Sequence, residues 1–307
     1  MLQHIPDLLG VGGRDRPGWH RLQPVVLESF FQRSLKPVPR GFEYAVGMRA
    51  VALTVAGSDP SGGAGIQADL KTFHQFGVYG EAVISLITVQ NTTALTSVHV
   101  LEPALVMAQL DAVMKDIRPA AAKTGALGNG TVMEALANYL CDSELTLVVD
   151  PVMLSKHGSR LMEEGAEAVL REKLLPLATL VTPNIPEAEV LAGMAIQTPG
   201  DMEHAARRIR ELGTRAVLIK GGHLAGAPSD LLYTGSGFRW FSGTRVATRH
   251  THGTGCVYSA AITAALAQGD GMENAVARAK QFVQAAIATA PGLGSGQGPL
   301  NHFAPVV

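Results

Sequence analysis

From Val51 onward the chain alternates short runs of β-branched apolar residues with longer stretches of helical period, and this alternation constrains the fold more than any single motif. Strands are expected at Val51 to Ala56, Ala82 to Val89, Ala120 to Thr124, Leu145 to Asp150, Leu180 to Thr182 and Ala216 to Gly221. Each is followed by Gly, Pro, Asn or Asp, and helical stretches separate them, so the class is α/β with a mostly parallel sheet. Glu203 to Leu212 and Asn274 to Ala290 read as amphipathic helices. In the second, Ala275, Val276, Ala279, Phe282, Val283, Ala286, Ile287 and Ala290 make one core stripe. Leu231 to Tyr233 and Phe238 to Phe241, joined by Thr234-Gly235-Ser236-Gly237, read as an antiparallel hairpin near the far edge. No internal repeat or linker interrupts 48–307, which is read as one domain.

Residues 1–47 differ in character, with 6 Gly, 5 Pro and no sustained helical period, and are expected to be a poorly structured extension. Met48 is a candidate start of the protein proper. The alternative is a docking arm in which Val25 to Phe31 and Leu35 form a short amphipathic turn. Asp7, Arg14, Asp15 and Arg16 interrupt every apolar run that would make a signal peptide. No stretch of about 18 uninterrupted apolar residues exists to span a membrane.

The charge balance narrows the partners. With 25 Lys plus Arg against 26 Asp plus Glu, the net charge of −1 offers no basic field for nucleic acid or an anionic membrane, which favours a small-molecule partner. The two cysteines, Cys141 and Cys256, have neither a CxxC spacing nor ligand-spaced histidines. A disulfide scaffold and a structural zinc site are therefore not expected, and a reducing, cytoplasmic location is.

Phosphate-binding G-x-x-x-x-G-K-[ST], dinucleotide G-x-G-x-x-G after a strand, G-x-S-x-G and H-E-x-x-H are all missing. Four other segments place small or polar residues just after a strand, where ligand groups gather in α/β sheets. The first, Ala56 to Asp69, is a glycine-rich turn into a helix that continues through Leu70 and Phe73. It exposes backbone amides to a ligand, or is merely a tight turn. In the second, Thr88-Val89-Gln90-Asn91-Thr92, Gln90 can donate and accept at once, which suits a heterocycle edge; Gln and Asn also cap strand ends routinely. The third, Thr182 to Glu189, reads locally as an acidic helix start, although Asn184 and Glu187 can also organise hydrated Mg²⁺ beside phosphates.

The fourth, His250-Thr251-His252-Gly253-Thr254-Gly255-Cys256, precedes the apolar helix Val257 to Ala267 and is the most informative. Gly253, Thr254 and Gly255 can turn three amides toward one point, an anion hole for a transferred phosphoryl group. Cys256 falls in the first turn, where the helix dipole favours thiolate, unless it is a small buried hydrophobe. His250 and His252 are metal-ligand types, but nothing completes a metal site around them.

Together, AGSDPSGGAGIQADLKTF, QNT, TPNIPEAE, KGGH and HGTGC resemble the hydroxymethylpyrimidine/phosphomethylpyrimidine kinases of thiamine biosynthesis, a branch of the ribokinase-like superfamily, over essentially all of 48–307. The resemblance implies a three-layer αβα sandwich and an ATP- and Mg²⁺-dependent kinase. Such an enzyme phosphorylates 4-amino-5-hydroxymethyl-2-methylpyrimidine and then converts the monophosphate to the diphosphate in one site. It assigns Gln90 to the pyrimidine edge and Gly57, Asp69 and Val152 to the pocket. Asn184 and Glu187 go to Mg·ATP, with Glu187 reaching the metal through water, and Lys220 and Gly222 to the nucleotide. Gly253 to Gly255 become the anion hole and Cys256 stands at the position of the usual catalytic base. Relatives are usually dimers, so a homodimer is expected. Two departures imply a roomier pocket: Ala126 stands where a Met is expected, and Ser155-Lys156-His157-Gly158 replaces the usual Ala-Lys-Ser-Gly. The rival readings are a pyridoxal/pyridoxine kinase of the same branch and a non-catalytic module that senses the pyrimidine.

Overall fold

The computed structural model describes residues 50–156, 158–223 and 227–306, so the expectation for 1–47 falls outside the described residues. Among the described residues nine strands form one sheet: β1 (Val51–Ser58), β2 (Tyr79–Gln90), β3 (Leu95–Val100), β4 (Ala121–Thr124), β5 (Thr146–Val149), β6 (Leu180–Val181), β7 (Val217–Ile219), β8 (Asp230–Tyr233) and β9 (Phe238–Phe241). Their order is β3-β2-β1-β4-β5-β6-β7-β8-β9. The run from β2 to β7 is parallel, with β3 antiparallel at one edge and the β8–β9 hairpin at the other.

Eight α-helices cover the sheet among the described residues: α1 (Gly65–Gln75), α2 (Pro103–Asp116), α3 (Gly130–Leu140), α4 (Ala166–Val169), α5 (Ile185–Ala192), α6 (Pro199–Arg210), α7 (Thr254–Ala267) and α8 (Met272–Ala288). Strand residues alternate between two cores, because successive side chains point to opposite faces. Leu53, Val55, Leu147, Val149, Val217 and Ile219 pack against α2 to α6, while Ala52, Val148, Leu180, Leu218 and Leu232 pack against α1, α7 and α8. Both faces are covered, which explains why the central strands read as unbroken apolar runs. The result is the ribokinase-like three-layer αβα sandwich that the motifs implied.

The expected strands all form, with ends shifted by a few residues. The helix expected at Val257 to Ala267 begins earlier, at Thr254, since Gly253 caps it in a left-handed conformation (φ +79°). Strand β3 was not anticipated. It is a half-exposed edge strand whose apolar residues are diluted by polar ones, so its stability comes from pairing with β2. The turn between them is organised by Asn91, whose Oδ1 accepts from the Thr93 and Ala94 amides. Asn91 is thus a turn residue, and Gln90 alone of that amide pair lines the cavity described below. No helix among the described residues is long and apolar enough to cross a membrane.

The chain leaves β1 toward β2 on one side and later returns to β4 on the other, so the strand order reverses at β1. Such a reversal opens a crevice at the carboxyl ends of the strands.

Candidate active site

At those carboxyl ends lies a cavity of about 840 Å³, large enough for a heterocycle and a nucleotide together. The carboxyl half of β2, the segments after β1, β4, β5, β6 and β7, and the start of α7 contribute to its wall. Of the residues singled out by sequence, Gly57, Gln90, Val152, Asn184, Glu187, Lys220, Gly222, Gly253, Thr254, Gly255 and Cys256 line it.

Asp69 does not. Its carboxylate is fully buried behind the wall, where Lys123 Nζ bonds both of its oxygens at 2.8 and 2.9 Å and the Thr54 hydroxyl donates at 2.7 Å. A carboxylate on the inner face of α1 must find a cation, and β4 supplies one directly opposite. Burial pulls the Lys123 pKa down, but Asp69, Cys256 and Asp150 together more than reverse this, so the ammonium stays protonated. Lys123 interrupts the apolar run of β4, and that interruption was the signal in the sequence for a buried partner.

A second buried ion pair lies on the wall itself. Lys220, just past β7, reaches Asp150 Oδ1 at 2.9 Å, and Asp150 also accepts from Ser259 at 3.1 Å and Thr182 at 3.3 Å. Burial opposes ionisation of Asp150, but Lys220 and Lys123 outweigh it and hold its pKa low. Asp150 was missed as a site residue although it ends a predicted strand, because a lone strand-end carboxylate resembles an ordinary cap. The backbone of Gly255 sits directly against this pair, since a Cβ there would lie 3.4 Å from Lys220 Nζ and 3.7 Å from Asp150 Oδ2.

Asn184 and Glu187 form a reciprocal capping box at the start of α5: Asn184 Oδ1 accepts the Glu187 amide at 2.9 Å, and Glu187 Oε2 accepts the Asn184 amide at 2.8 Å. Local helix chemistry therefore accounts for both residue types. Yet the cap is buried at the cavity, where desolvation, helped by Asp150 and opposed by Lys220, pushes Glu187 up to about 7.

The turn that opens α7 differs from expectation in two ways. The Thr254 amide is taken by the Thr251 carbonyl at 3.3 Å, so three free amides do not converge; Gly255 and Cys256 supply the helix-end donors without a backbone acceptor among the described residues. The Cys256 thiol is also not poised as thiolate. Burial raises its pKa to about 11, overriding Lys123 and the amide of Gly65, both of which lower it. A helix dipole acts near an exposed end, and desolvation dominates once the sulfur is enclosed.

Among the described residues no three His, Cys, Asp or Glu side chains cluster as a metal site. Instead, His250 Nδ1 accepts the Gly298 amide and His252 pairs with Asp59.

The chain is 50% identical over 257 residues to the thiamine biosynthesis bifunctional protein ThiED of Geobacter sulfurreducens, with 83% of this chain aligned but only 52% of that protein, about half its length. It is 46% identical over 258 residues to the hydroxymethylpyrimidine/phosphomethylpyrimidine kinase of Staphylococcus aureus strain MRSA252, covering 83% of this chain and 94% of the relative. A Staphylococcus aureus pyridoxal kinase solved with AMP-PCP and pyridoxal superposes with a TM-score of 0.77 at 35% identity, over 84% of this chain and 95% of that one. The model of the phosphomethylpyrimidine kinase family matches residues 59–301, and by that match, with a 46% identical relative covered nearly end to end, the chain belongs to the phosphomethylpyrimidine kinase family.

Proposed function

We propose that this chain transfers the γ-phosphoryl group of ATP to the hydroxymethyl oxygen of 4-amino-5-hydroxymethyl-2-methylpyrimidine and then phosphorylates the monophosphate to the diphosphate. The carrying observation is that one cavity holds a two-sided hydrogen-bonding side chain, Gln90, and also a helix amino terminus beside a buried lysine, Lys220. The first recognises a ring edge that both donates and accepts, and the second stabilises a phosphoryl group in transit.

In the first transfer the substrate oxygen attacks the γ-phosphorus, the bond to the ADP oxygen breaks, and the hydroxyl proton passes to the Cys256 thiolate, the small deprotonated fraction of a thiol whose pKa burial pushes up to about 11. In the second the attacking oxygen is already an anion and needs no base. Gly57 and Val152 flank the pyrimidine. Lys220 and Gly222 lie along the nucleotide, with Asp150 holding the Lys220 ammonium in place. Asp69 acts from behind the wall.

Mg²⁺ fits this donor set. It keeps most of its waters and takes one or two carboxylates plus phosphate oxygens, so a buried carboxylate at the phosphate end suffices and a three-ligand cage is not needed. Glu187 would hold it through water, with Asn184 beside it, and the ion would neutralise charge on the β- and γ-phosphates. A cytoplasmic homodimer completes the reading.

Pyridoxal is the second candidate acceptor, favoured by the structural likeness to the pyridoxal kinase and by Ala126, a small side chain on the cavity wall that leaves room for a larger ring. Turnover on the hydroxymethylpyrimidine, its monophosphate and pyridoxal, measured side by side, tests the proposal. Faster phosphorylation of pyridoxal than of either pyrimidine would transfer the assignment to the second candidate. Absence of ATP consumption on all three would leave a binding module.

Replacing Gln90 by alanine is expected to raise KM for the pyrimidine by roughly 5- to 150-fold, the equivalent of about 1–3 kcal/mol for a hydrogen bond lost in a dry pocket, with KM for ATP nearly unchanged. Equal rises in both constants would remove Gln90 from the acceptor end.

A further inference from the structure

The glycine loop between β1 and α1 and the turn that opens α7 lie far apart in the chain, and a buried side-chain contact joins them. His252 Nε2 lies 2.8 Å from Asp59 Oδ2 across 193 residues of sequence. Both side chains are almost completely buried.

Asp59 is the hub of its loop. Its Oδ1 accepts from the Ser61 amide at 2.8 Å and the Ser61 hydroxyl at 2.7 Å, and its Oδ2 accepts from the Ala64 amide at 2.8 Å. Its own amide donates to Gln67 Oε1 at 2.8 Å. One carboxylate thus shapes the loop and also grips His252, whose main chain is anchored on its other side to the Gly298 carbonyl at 3.1 Å. The segments then touch backbone to backbone. A Cβ on Gly253 would lie 1.8 Å from the Gly63 carbonyl oxygen, and a Cβ on Gly63 would lie 2.7 Å from His252 Cδ2. Glycine at both positions is what lets the two segments close on each other.

We infer that Asp59 and His252 form a positioning pair that holds the Gly253–Cys256 turn in register with the glycine loop. The turn carries the donors and the thiol assigned to phosphoryl transfer, while the loop carries the acceptor side of the cavity at Gly57. Transfer requires both at once. A misplacement on the order of 1 Å in such an arrangement can lower the rate about 100-fold without weakening the binding of either substrate. The inference rests on the kinase reading for its catalytic consequence, but not for its structural one.

Two measurements on the full chain test it. Amide hydrogen exchange needs no substrate. Asp59→Asn is expected to speed exchange in the 252–257 segment, and His252→Leu to speed it in 58–65, because coupling through one contact is reciprocal. His252→Gln, whose amide nitrogen can stand where the imidazole Nε2 stands, is expected to exchange like the parent. In turnover, His252→Leu is expected to lower kcat by about 10- to 100-fold with KM for ATP within about twofold, and His252→Gln to recover most of the loss.

Exchange changes confined to the segment that carries the substitution would overturn the inference, as would His252→Leu retaining kcat within about twofold. If His252→Leu does not fold, Asp59→Asn and His252→Gln decide: the first must loosen 252–257 and the second must not, and any other result overturns the pair. A parent chain that phosphorylates neither pyrimidine nor pyridoxal would refute the kinase reading while leaving the exchange result to stand or fall alone.

Discussion

Cys256→Ser is expected to lower kcat of the first phosphoryl transfer by roughly 10²- to 10⁴-fold, the range for loss of a positioned general base, while changing the melting temperature little. The hydroxyl nearly matches the thiol in size but does not ionise at any accessible pH. The second transfer should suffer less, because a phosphate monoester already presents an oxyanion. Equal loss in both steps would instead indicate damage to the Gly253–Gly255 turn. The pH dependence follows from burial. With the thiol pushed up to about 11 from its ordinary value near 9, only a small thiolate fraction exists at neutral pH. The first-step rate of the parent should therefore climb through the neutral range toward alkaline pH without a plateau near 7, and the serine variant should lose that climb. For stability the sign is opposite. A raised acid pKa in the folded state favours folding fully below the unfolded value and is lost as pH rises toward about 11, so the parent should weaken relative to Cys256→Ser in that alkaline window. A flat pH profile in the parent, or a serine variant with full first-step activity, would remove Cys256 as the base and leave the kinase assignment intact.

Lys123→Met is expected to be the most destabilising single change, because it strands the Asp69 carboxylate without a cation at a site with no solvent contact. Breaking one side of a buried pair costs about 3–5 kcal/mol. For a domain of this size that is on the order of 10 °C in melting temperature. The double variant Lys123→Met/Asp69→Leu should recover most of the loss, since an apolar pair of similar volume leaves no buried charge. The deficit should also depend on pH. Burial holds the Asp69 pKa above its ordinary value even with Lys123 beside it, and loss of the cation raises it further, so the carboxyl is neutral and harmless at acid pH and becomes costly as pH rises. Thermal unfolding of parent, single and double variants across pH checks both points. A double variant no more stable than the single would show that the two side chains matter separately rather than as a pair.

The architecture was legible because strand and helix periods are local properties. β1, β4, β5, β6 and β7 each announced themselves as short apolar runs closed by Gly, Pro, Asn or Asp, and the α8 stripe matched the buried face of that helix. The edge strand β3 was not legible, since its exposed face dilutes the apolar pattern and its partner supplies the hydrogen bonds. Most of the cavity wall was also readable, because small residues after parallel strands mark the ligand end of such a sheet. Asp69 shows the limit of that reasoning. Resemblance placed it on the wall, whereas its position on the inner face of α1 turns it toward Lys123 in β4, 54 residues away.

The sequence by itself determined which segments become strands, helices and tight turns, and where along each strand the ligand-facing residues begin. Those choices depend on backbone propensity and on side-chain period within a few residues. Only the tertiary structure decided the partnerships: Asp59 with His252, Asp69 with Lys123, and Asp150 with Lys220. Each joins residues 54 to 193 positions apart, and the pairing follows from the order in which parallel strands lie side by side, which no local pattern encodes. It also decided the state of Cys256, because the helix dipole is set by the local backbone but desolvation is set by everything packed around the sulfur, and the larger effect prevails.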